Sequence, residues 1–409
     1  MKICCLHEKC INCGQCALVL CPMGEVRKTL QIESCIGCGA CILACPQKAI
    51  DWSEEPLKKS PELPEKNVYI NGQKVKASGL IKDALIAAGI KISFYPMQNN
   101  KGVFMPCCTG GCWTCAVKAD EKYALSCLTP LYNNMHIEIL ENPPPLRVVS
   151  GFGAHTVGGV GTPYYLKKGS EPIEIACFTQ GCNLRCPQCQ NFGIAFTAGG
   201  HLMGSEETAQ ILIGLKTQYN VDRVALSGGE CTLNREWLIE VIRIIHQLDP
   251  EVHIHVDTNG TIITPDYIDA LVDAGMTEIG VDLKAIQIPT FMHITGINDE
   301  ILAEKYLKTS WCAVKHIINH HTEIFMGIGI PYNKALISAE EVHEMGQKIA
   351  AIQPDVQVCL MDYRGEFRRK NLSLPSFHEM IGIKDILNKA GLKMVIAQTT
   401  RRTHRAIEV

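Results

Sequence analysis

The 409-residue sequence contains no apolar run long enough to cross a lipid bilayer, which takes about 20 residues in a helix. It also has little excess charge, because the formal net charge is -3 and lysine and arginine form no long basic run. A basic groove for nucleic acid or a basic surface for anionic lipid is therefore not expected. We predict neither a nucleic-acid partner nor a membrane attachment.

The amino terminus, MKICCLHEKC, reaches its first cysteines without the apolar segment that a secretory signal peptide needs. This favours a cytoplasmic protein. Because the cytoplasm keeps thiols reduced, the 22 cysteines of the chain are not expected to form disulfides. Metal ligation is the better explanation of so many cysteines.

Two proline-rich stretches, EEPLKKSPELPE at 54–65 and ENPPPL at 141–146, favour extended linkers. They divide the chain into a cysteine-rich module over 1–53, a second module over 66–140 and a long carboxyl-terminal domain over 171–409. The glycine-rich segment 150–170 is interpreted as an irregular linker, with a lid over a site as the alternative.

The first module contains one cysteine pattern written twice, a C-x2-C-x2-C triplet followed by a Cys-Pro pair. The two copies are Cys10, Cys13, Cys16 and Cys21, then Cys35, Cys38, Cys41 and Cys45. The module resembles bacterial dicluster ferredoxins over about residues 4–51. In these proteins each triplet binds one 4Fe-4S cluster, and the cysteine before proline ligates the other cluster.

This resemblance implies one 4Fe-4S cluster on Cys10, Cys13, Cys16 and Cys45. It implies a second cluster on Cys35, Cys38, Cys41 and Cys21. The spacing between Cys16 and Cys21 is one residue longer than usual, which loosens the turn without removing the ligand. Two structural zinc sites are the alternative, because C-x2-C spacing also suits zinc.

The second module begins with a predicted β-hairpin around Asn71-Gly72 and a short helix in LIKDALIAAGI. Its cysteines have the C-x4-C-x2-C…C spacing of plant-type 2Fe-2S ferredoxins, which this module resembles. The ligands implied are Cys107, Cys112, Cys115 and Cys127. Cys108 is the alternative to Cys107 as the first ligand.

From residue 171 onward, short β-type runs alternate with segments of helical length, a pattern that predicts βα units and a parallel sheet. Six or seven such units indicate an α/β fold, a partial or near-complete (β/α) barrel, preceded by two small α+β ferredoxin-like domains. Polar motifs follow successive strands. In a parallel barrel such positions meet at the carboxyl-terminal rim, where active sites form.

The first of these motifs is CFTQGCNLRCPQCQN, with Cys182, Cys186 and Cys189 in C-x3-C-x2-C spacing. Three cysteines leave one iron of a 4Fe-4S cube open to another ligand. The segment 173–365 resembles the radical S-adenosylmethionine (SAM) superfamily, and especially pyruvate formate-lyase activating enzyme. That resemblance implies a third 4Fe-4S cluster, which binds SAM and cleaves it reductively to a 5'-deoxyadenosyl radical for hydrogen abstraction.

The resemblance also implies the residues that hold SAM. Gly228, Gly229 and Glu230 match the motif that receives its ammonium group. Asp257 and Asp282 match aspartates near the sulfonium and a monovalent cation, and Lys284 matches a lysine that reaches SAM. The full set of expected SAM contacts is Gly228, Gly229, Glu230, Asp257, Thr258, Asn259, Asp282, Lys284 and, in place of a histidine, Arg364.

Two departures limit the comparison. Gln188 stands where an aromatic residue usually precedes the last cysteine, and the glycine-rich lead of glycyl-radical activases is missing. The substrate, a small molecule or a protein, therefore stays unidentified. A glycyl-radical activase and a non-catalytic electron-transfer subunit of a larger redox complex are the alternatives. The fused clusters are expected to carry electrons to or from the SAM cluster.

Overall fold

The computed structural model describes residues 3–6, 39–45, 48–53, 65–97, 102–167 and 171–399. They form two compact units. The first extends to Ser150 and includes the short segments 180–183 and 191–202, and the second contains 151–179, 184–190 and the chain from 203 onward. Within the described ranges, no helix has the length and apolar character needed to span a membrane.

The first unit begins with an antiparallel pair, β1 (Ile3–Leu6) and β2 (Ile50–Ser53), separated in sequence by the short helix α1 (Ala40–Ala44). Of the eight cysteines expected in the dicluster module, the described residues include Cys41 and Cys45. The other six lie outside them: Cys10, Cys13, Cys16, Cys21, Cys35 and Cys38.

The rest of the first unit contains a five-stranded sheet in the order β4-β3-β9-β7-β8 and a parallel pair, β5 and β6. Asn71 and Gly72 both have positive φ, as the predicted tight hairpin turn requires, and the predicted short helix is also present. The elements are β3 (Lys66–Ile70), β4 (Gln73–Ala77), α2 (Ile81–Ala87), β5 (Lys91–Ser93), β6 (Gly102–Phe104), β7 (Ala116–Ala119), β8 (Lys122–Leu125) and β9 (His136–Glu138).

The second unit is built on seven parallel strands with helical crossovers, which confirms the mixed α/β architecture. The sheet order is β12-β10-β11-β13-β14-β15-β16-β17-β18; among the described strands the two end strands do not pair with each other, so the barrel is partial. The elements from residue 146 are β10 (Leu146–His155), β11 (Glu174–Thr179), α3 (Phe192–Ala195), β12 (His201–Gly204), α4 (Ser205–Tyr219), β13 (Arg223–Gly228), α5 (Arg235–Leu248), β14 (His253–Thr258), α6 (Pro265–Asp273), β15 (Glu278–Asp282), α7 (Ile288–Thr295), α8 (Glu300–His320), β16 (Phe325–Tyr332), α9 (Ala339–Ala350), β17 (Gln357–Asp362), α10 (Phe377–Lys389) and β18 (Val395–Ala397).

The two faces of the parallel sheet differ in chemistry. One face consists of buried aliphatic side chains, typical of a face covered by helices: Val224, Leu226, Ile254, Val256, Ile279, Val281, Ile328, Ile330, Val358 and Leu360. The other face is polar or lacks side chains. Asp257, Gly280, Gly327 and Gln357 lie side by side on it across four adjacent strands.

The glycine-rich segment 156–163 packs against this second face. The Val160 N–H donates to Asp257 Oδ1 at 3.1 Å, and Gln357 Nε2 donates to the carbonyls of Val160 and Thr162. A Cβ on Gly327 would lie 2.0 Å from the Val160 carbonyl oxygen, so only glycine allows this approach. We call residues 156–163 the plug segment.

Candidate functional site

The cysteine loop follows β11, as predicted. Cys182 is buried, whereas Cys186 and Cys189 are partly exposed. The Cys189 N–H donates to the Cys186 carbonyl at 3.1 Å and closes the C-x2-C turn. Burial raises the pKa of the Cys186 thiol, and the positive charge of Lys284 opposes this shift. A cation beside a ligating sulfur favours the thiolate that metals bind.

The end of α7 supports this loop. The Arg185 N–H donates to the Thr295 carbonyl at 2.8 Å, and a Cβ on Gly296 would lie 2.4 Å from the Arg185 carbonyl oxygen. Gly296 also has φ near 70°, the left-handed conformation that commonly ends a helix. The segment HITGIND therefore ends α7 in a turn that fixes the backbone ahead of Cys186.

Gln188, which replaces the expected aromatic residue, holds the same loop by hydrogen bonds. Its buried amide donates to the Ile294 carbonyl at 2.8 Å and accepts from Arg369 Nη1 at 3.0 Å. Arg369 also donates to the His293 carbonyl, and the Arg368 N–H donates to the Pro187 carbonyl. The loop after β17 thus clamps the residues between Cys186 and Cys189, a contact that no spacing in the sequence indicates.

Gly228 and Gly229 form a tight turn at the end of β13. The Gly229 N–H donates to the Thr179 carbonyl at 2.8 Å, and a Cβ on Gly228 would lie 2.4 Å from the backbone nitrogen and oxygen of Thr179. Gly228 has φ near 119°, so glycine is required here both by space and by conformation. Glu230 is the residue that directly follows this turn.

Glu230 is buried and already accepts four hydrogen bonds from the polypeptide. Thr232 donates from its N–H at 3.2 Å and from its hydroxyl at 2.6 Å, Thr258 Oγ1 donates at 2.8 Å, and the Asn259 N–H donates at 2.8 Å. Burial raises the pKa of Glu230, and these donors oppose the rise. This carboxylate therefore joins the loop after β13 to the loop after β14.

The side chains of Thr258 and Asn259 are also used within their own turn. Thr258 Oγ1 accepts the Gly260 N–H at 3.0 Å, and Asn259 Oδ1 accepts the Thr261 N–H at 3.0 Å and the Thr261 hydroxyl at 2.5 Å. These bonds shape the Asp-Thr-Asn-Gly turn. Together with the Glu230 bonds, they hold this turn in one conformation.

Lys284 is the buried cation of the site. Its ammonium donates to Asp282 Oδ2 at 2.8 Å and to the Tyr363 hydroxyl at 2.9 Å. Burial alone would lower the pKa of Lys284, but the Asp282 carboxylate raises it well above its usual range. Lys284 is therefore charged at neutral pH, and Tyr363 is a site residue that sequence comparison missed although it follows β17.

Arg364 was the predicted contact on this loop. Its guanidinium lies 3.3 Å from Asp362 Oδ1, and its side chain is 43% exposed. Burial raises the pKa of Asp362, while the Arg364 charge opposes the rise. In the structure Arg364 pairs with a buried acid at the strand end, whereas the neighbouring Tyr363 makes the contact with Lys284.

Asp257 faces a buried histidine. Asp257 Oδ1 lies 3.0 Å from His255 Nε2, and His255 Nδ1 lies 3.4 Å from Glu174 Oε2. Burial would lower the pKa of His255, but Asp257 and Glu174 raise it to about 10. Asp257 is thus held between an imidazolium and the plug segment, at the polar face of the sheet.

In the first unit, Cys107, Cys112, Cys115 and Cys127 are all buried. The sulfurs of Cys107 and Cys112 lie 3.1 Å apart, and the side chains of Cys115 and Cys127 form a hydrogen bond. The Cys108 sulfur instead points to the Met105 carbonyl at 3.4 Å. Two sulfur pairs in one buried pocket are a donor set that fits an iron–sulfur cluster.

The loop that carries these cysteines contacts the start of the SAM-type loop within the same unit. A Cβ on Gly111 would lie 2.4 Å from the Gln180 carbonyl oxygen, and one on Gly181 would lie 3.1 Å from Cys107 Cβ. The Val148 N–H donates to the Gly111 carbonyl, and the Gln180 N–H donates to the Val148 carbonyl. Residues 107–112 therefore lie against the two residues that precede Cys182.

At the described end of the first module, Gly39 has φ near 77° and precedes α1. The Cys45 Sγ is buried and accepts the Ala49 N–H at 3.2 Å. Backbone N–H groups directed at cysteine sulfur are typical of iron–sulfur sites, where they tune the potential. Cys41 and Cys45 are thus compatible with the predicted ligand role.

Residues 176–346 match the family model of the radical SAM superfamily, and residues 31–51 match that of the 4Fe-4S binding domain. The 4Fe-4S match covers the second cysteine copy of the first module.

Curated relatives include a probable GTP 3',8-cyclase of Saccharolobus solfataricus, 32% identical over 120 residues, or 29% of this chain and 37% of that protein. The GTP 3',8-cyclase of Alkaliphilus oremlandii is 31% identical over 125 residues, or 30% of this chain and 37% of that protein. The chain thus matches little more than a third of the length of these relatives.

Among solved structures, TYW1 with a lysine-pyruvate adduct bound aligns with a TM-score of 0.38 and 16% identity. The alignment covers 53% of this chain and 72% of that one, and so low a score supports no conclusion about activity. The family matches indicate an enzyme. The chain carries a radical SAM superfamily domain over residues 176–346, with a 4Fe-4S binding motif at residues 31–51 ahead of it.

Proposed function

We propose that the protein is a radical SAM enzyme in which Cys182, Cys186 and Cys189 hold a 4Fe-4S cluster that binds SAM. The observation that carries this proposal is the meeting of Cys186, Lys284, Asp282 and Tyr363 at the carboxyl ends of parallel strands. When bound, this cluster and SAM supply the one-electron cleavage that yields a 5'-deoxyadenosyl radical. A monovalent cation beside Asp257 or Asp282 is part of the same proposal.

The residues around the cluster loop have distinct roles in this proposal. Lys284 supplies a fixed positive charge next to Cys186, which stabilises the thiolate and the anionic groups of a bound cofactor. Glu230 fixes the loops that would receive SAM, because its two oxygens accept bonds from both of them. Gln188 and Arg369 hold the cluster loop in place.

We further propose that Cys107, Cys112, Cys115 and Cys127 bind a 2Fe-2S cluster, and that the first module binds two 4Fe-4S clusters. Cys107 is preferred to Cys108 as a ligand because its sulfur lies beside that of Cys112. The contact of the Gly111 loop with Gln180 and Gly181 supports electron transfer between the 2Fe-2S cluster and the SAM cluster. A wire of fused clusters explains why the chain carries its own ferredoxin-type modules.

For the substrate, a small molecule is favoured over a protein glycine. The curated relatives are named for a reaction of GTP, a small molecule, and the activase lead is missing here. Because the match covers only 37% of these relatives, GTP itself is not proposed as the substrate of this chain. The reduced thiolates that these clusters need favour the cytoplasm.

The test is anaerobic incubation of the reconstituted protein with SAM and dithionite, with 5'-deoxyadenosine measured by chromatography. We expect the wild type and Cys312→Ala to form it, since Cys312 is exposed on α8, and Cys186→Ala to form none. If the wild type forms none, the protein is an electron-transfer subunit instead.

A second experiment addresses the substrate. Cell-extract fractions are added to the same incubation, and stimulation of 5'-deoxyadenosine formation by a fraction retained on a small-pore filter would indicate a protein substrate, as for an activase.

A further inference from the structure

A second group of potential metal ligands lies on the helical layer of the second unit. It consists of Asp269 on α6, His316 on α8 and His321, the residue that follows α8. One ligand atom from each residue lies within 4.8 Å of the others. None of these residues belongs to the SAM-type motifs at the strand ends.

The geometry is convergent. His316 Nε2 lies 2.6 Å from Asp269 Oδ1, and His321 Nε2 lies 2.7 Å from the same oxygen. The two imidazoles are 16% and 15% exposed, whereas the Asp269 side chain is 48% exposed. The rings are therefore fixed by packing, and the carboxylate is free to adjust its position.

We propose that Asp269, His316 and His321 bind a divalent transition-metal ion of the zinc class, with water as the fourth ligand. Two imidazole nitrogens and a carboxylate oxygen are a common donor set for this ion. Zinc bonds of about 2.0–2.1 Å in a tetrahedron separate the ligand atoms by about 3.3 Å. Each distance from Asp269 Oδ1 to an imidazole nitrogen must therefore lengthen by about 0.6–0.7 Å, which the exposure of Asp269 permits.

Neighbouring groups fix the ligand nitrogens. Glu323 Oε1 lies 3.4 Å from His321 Nδ1, so a proton held on Nδ1 by this carboxylate leaves the Nε2 lone pair available to the ion. A carboxylate behind a ligating histidine is the usual second partner in zinc sites. The His316 ring stacks on His320 with 4.5 Å between centroids, which holds its orientation.

The consequence is structural. Helix α6 precedes β15, and α8 precedes β16, so an ion here links two crossovers of adjacent strands. It would fasten the end of α8 to α6 without touching the polar face of the sheet. The site is expected to raise the stability of the folded domain when the ion binds.

The test uses the anaerobically reconstituted holoprotein with one equivalent of Zn²⁺ and X-ray absorption at the zinc edge. Because the cysteines also bind zinc, the method must distinguish sulfur from imidazole. We expect imidazole and oxygen ligands in the wild type and in the control His343→Asn/His378→Asn, which removes two histidines of α9 and α10. The variant His316→Asn/His321→Asn should lose the imidazole signal.

Two further variants make the result decisive. Asp269→Asn keeps both rings and should lower zinc occupancy of the imidazole site, and Glu323→Gln should weaken zinc binding by about tenfold. Zinc should also raise the unfolding temperature of the wild type but not that of the double variant. Zinc bound only to sulfur in the wild type, or an unchanged imidazole signal in Asp269→Asn, would show that the three side chains form hydrogen bonds alone.

Discussion

At the scale of single residues, the site depends on a lysine that stays charged in a buried position. Lys284 is 6% exposed and is paired with Asp282. A charge held in such a place is costly unless it is paired, so its retention points to function. The contact with Tyr363 adds a second fixed bond, and the ammonium therefore has little freedom to move.

Replacing Lys284 with methionine keeps most of the side-chain volume and removes the charge. We expect 5'-deoxyadenosine formation to fall about 10²-fold, since the loss of one preorganised electrostatic group usually costs that much. Lys308→Met, on the exposed surface of α8, should leave the rate unchanged. Equal rates for all three proteins would remove Lys284 from the site, provided that cluster content, read from the visible spectrum, is equal.

His255 gives the second unit a predictable pH dependence. Its pKa is raised to about 10 in the folded protein, against about 6.5 for an unfolded histidine. The stabilisation is therefore complete below pH 6.5 and is lost as the pH rises toward 10. We expect the free energy of unfolding of the wild type to fall between pH 7 and pH 10.

His255→Gln should remove this dependence. The difference in unfolding free energy between wild type and variant should shrink as the pH rises, measured by urea unfolding and circular dichroism. His201→Gln, at an exposed position, should follow the wild-type curve. A constant difference across this range would show that His255 is neutral in the folded protein.

At the scale of secondary-structure elements, the parallel strands were predictable. The alternation of β-strands and helices predicted from residue 171 onward is observed, for example in β13 (Arg223–Gly228) and α6 (Pro265–Asp273). Their apolar residues recur with the period of the element and are bounded by glycine, proline or polar residues. The sequence signal is strong because both the local propensity and the buried pattern favour the same structure.

Other elements were not predictable from local sequence. Helix α8 continues for 21 residues to His320, and the short helix α7 covers Ile288–Thr295. In α7, Pro289 lies in the first turn, where proline is tolerated, but the β-branched residues of the segment are weak helix formers, so the helix is stabilised by tertiary packing. The plug segment has no periodicity at all, and its partners lie up to 199 residues away in the sequence.

The plug segment makes a prediction at this scale. Gly327→Ala places a methyl group against the Val160 carbonyl, and overpacking of this kind costs about 1–3 kcal/mol. Gly382→Ala is the matched control, because open space surrounds this glycine of α10 and alanine favours helices by about 1 kcal/mol. Urea unfolding should show a loss in the first variant and none in the second. If Gly327→Ala were as stable as the wild type, the plug segment would not pack against Gly327 as described.

At the scale of the whole molecule, the cysteine spacings alone predicted the metal chemistry, and the family models confirm the radical SAM domain and a 4Fe-4S motif. Spacing is informative because ligands of one cluster must come from one or two short turns. The hydrogen bonds of Glu230, Gln188 and Arg369 could not be predicted, because they join segments that only the folded sheet brings together.

The proposed electron transfer between the fused clusters gives a prediction for the full chain. Cys112→Ala should slow turnover when a protein ferredoxin supplies electrons and leave turnover with dithionite unchanged. Cys108→Ala, at the adjacent cysteine whose sulfur contacts the Met105 carbonyl, should behave as the wild type with both donors. Equal loss with both donors in Cys112→Ala would refute the wire, and the ratio of the two rates is the quantity to measure.

The position of the plug segment also bears on how the protein is made. Residues 156–163 leave the ribosome before any strand from β11 onward, yet Val160 and Thr162 are bound by Gln357, near the end of the chain. The carbonyls of Val160 and Thr162 therefore lack their Gln357 partner while some two hundred residues are synthesised. Nascent chains that stop short of Gln357 would expose this glycine-rich stretch to proteases. The second unit can therefore finish folding only when its synthesis is nearly complete.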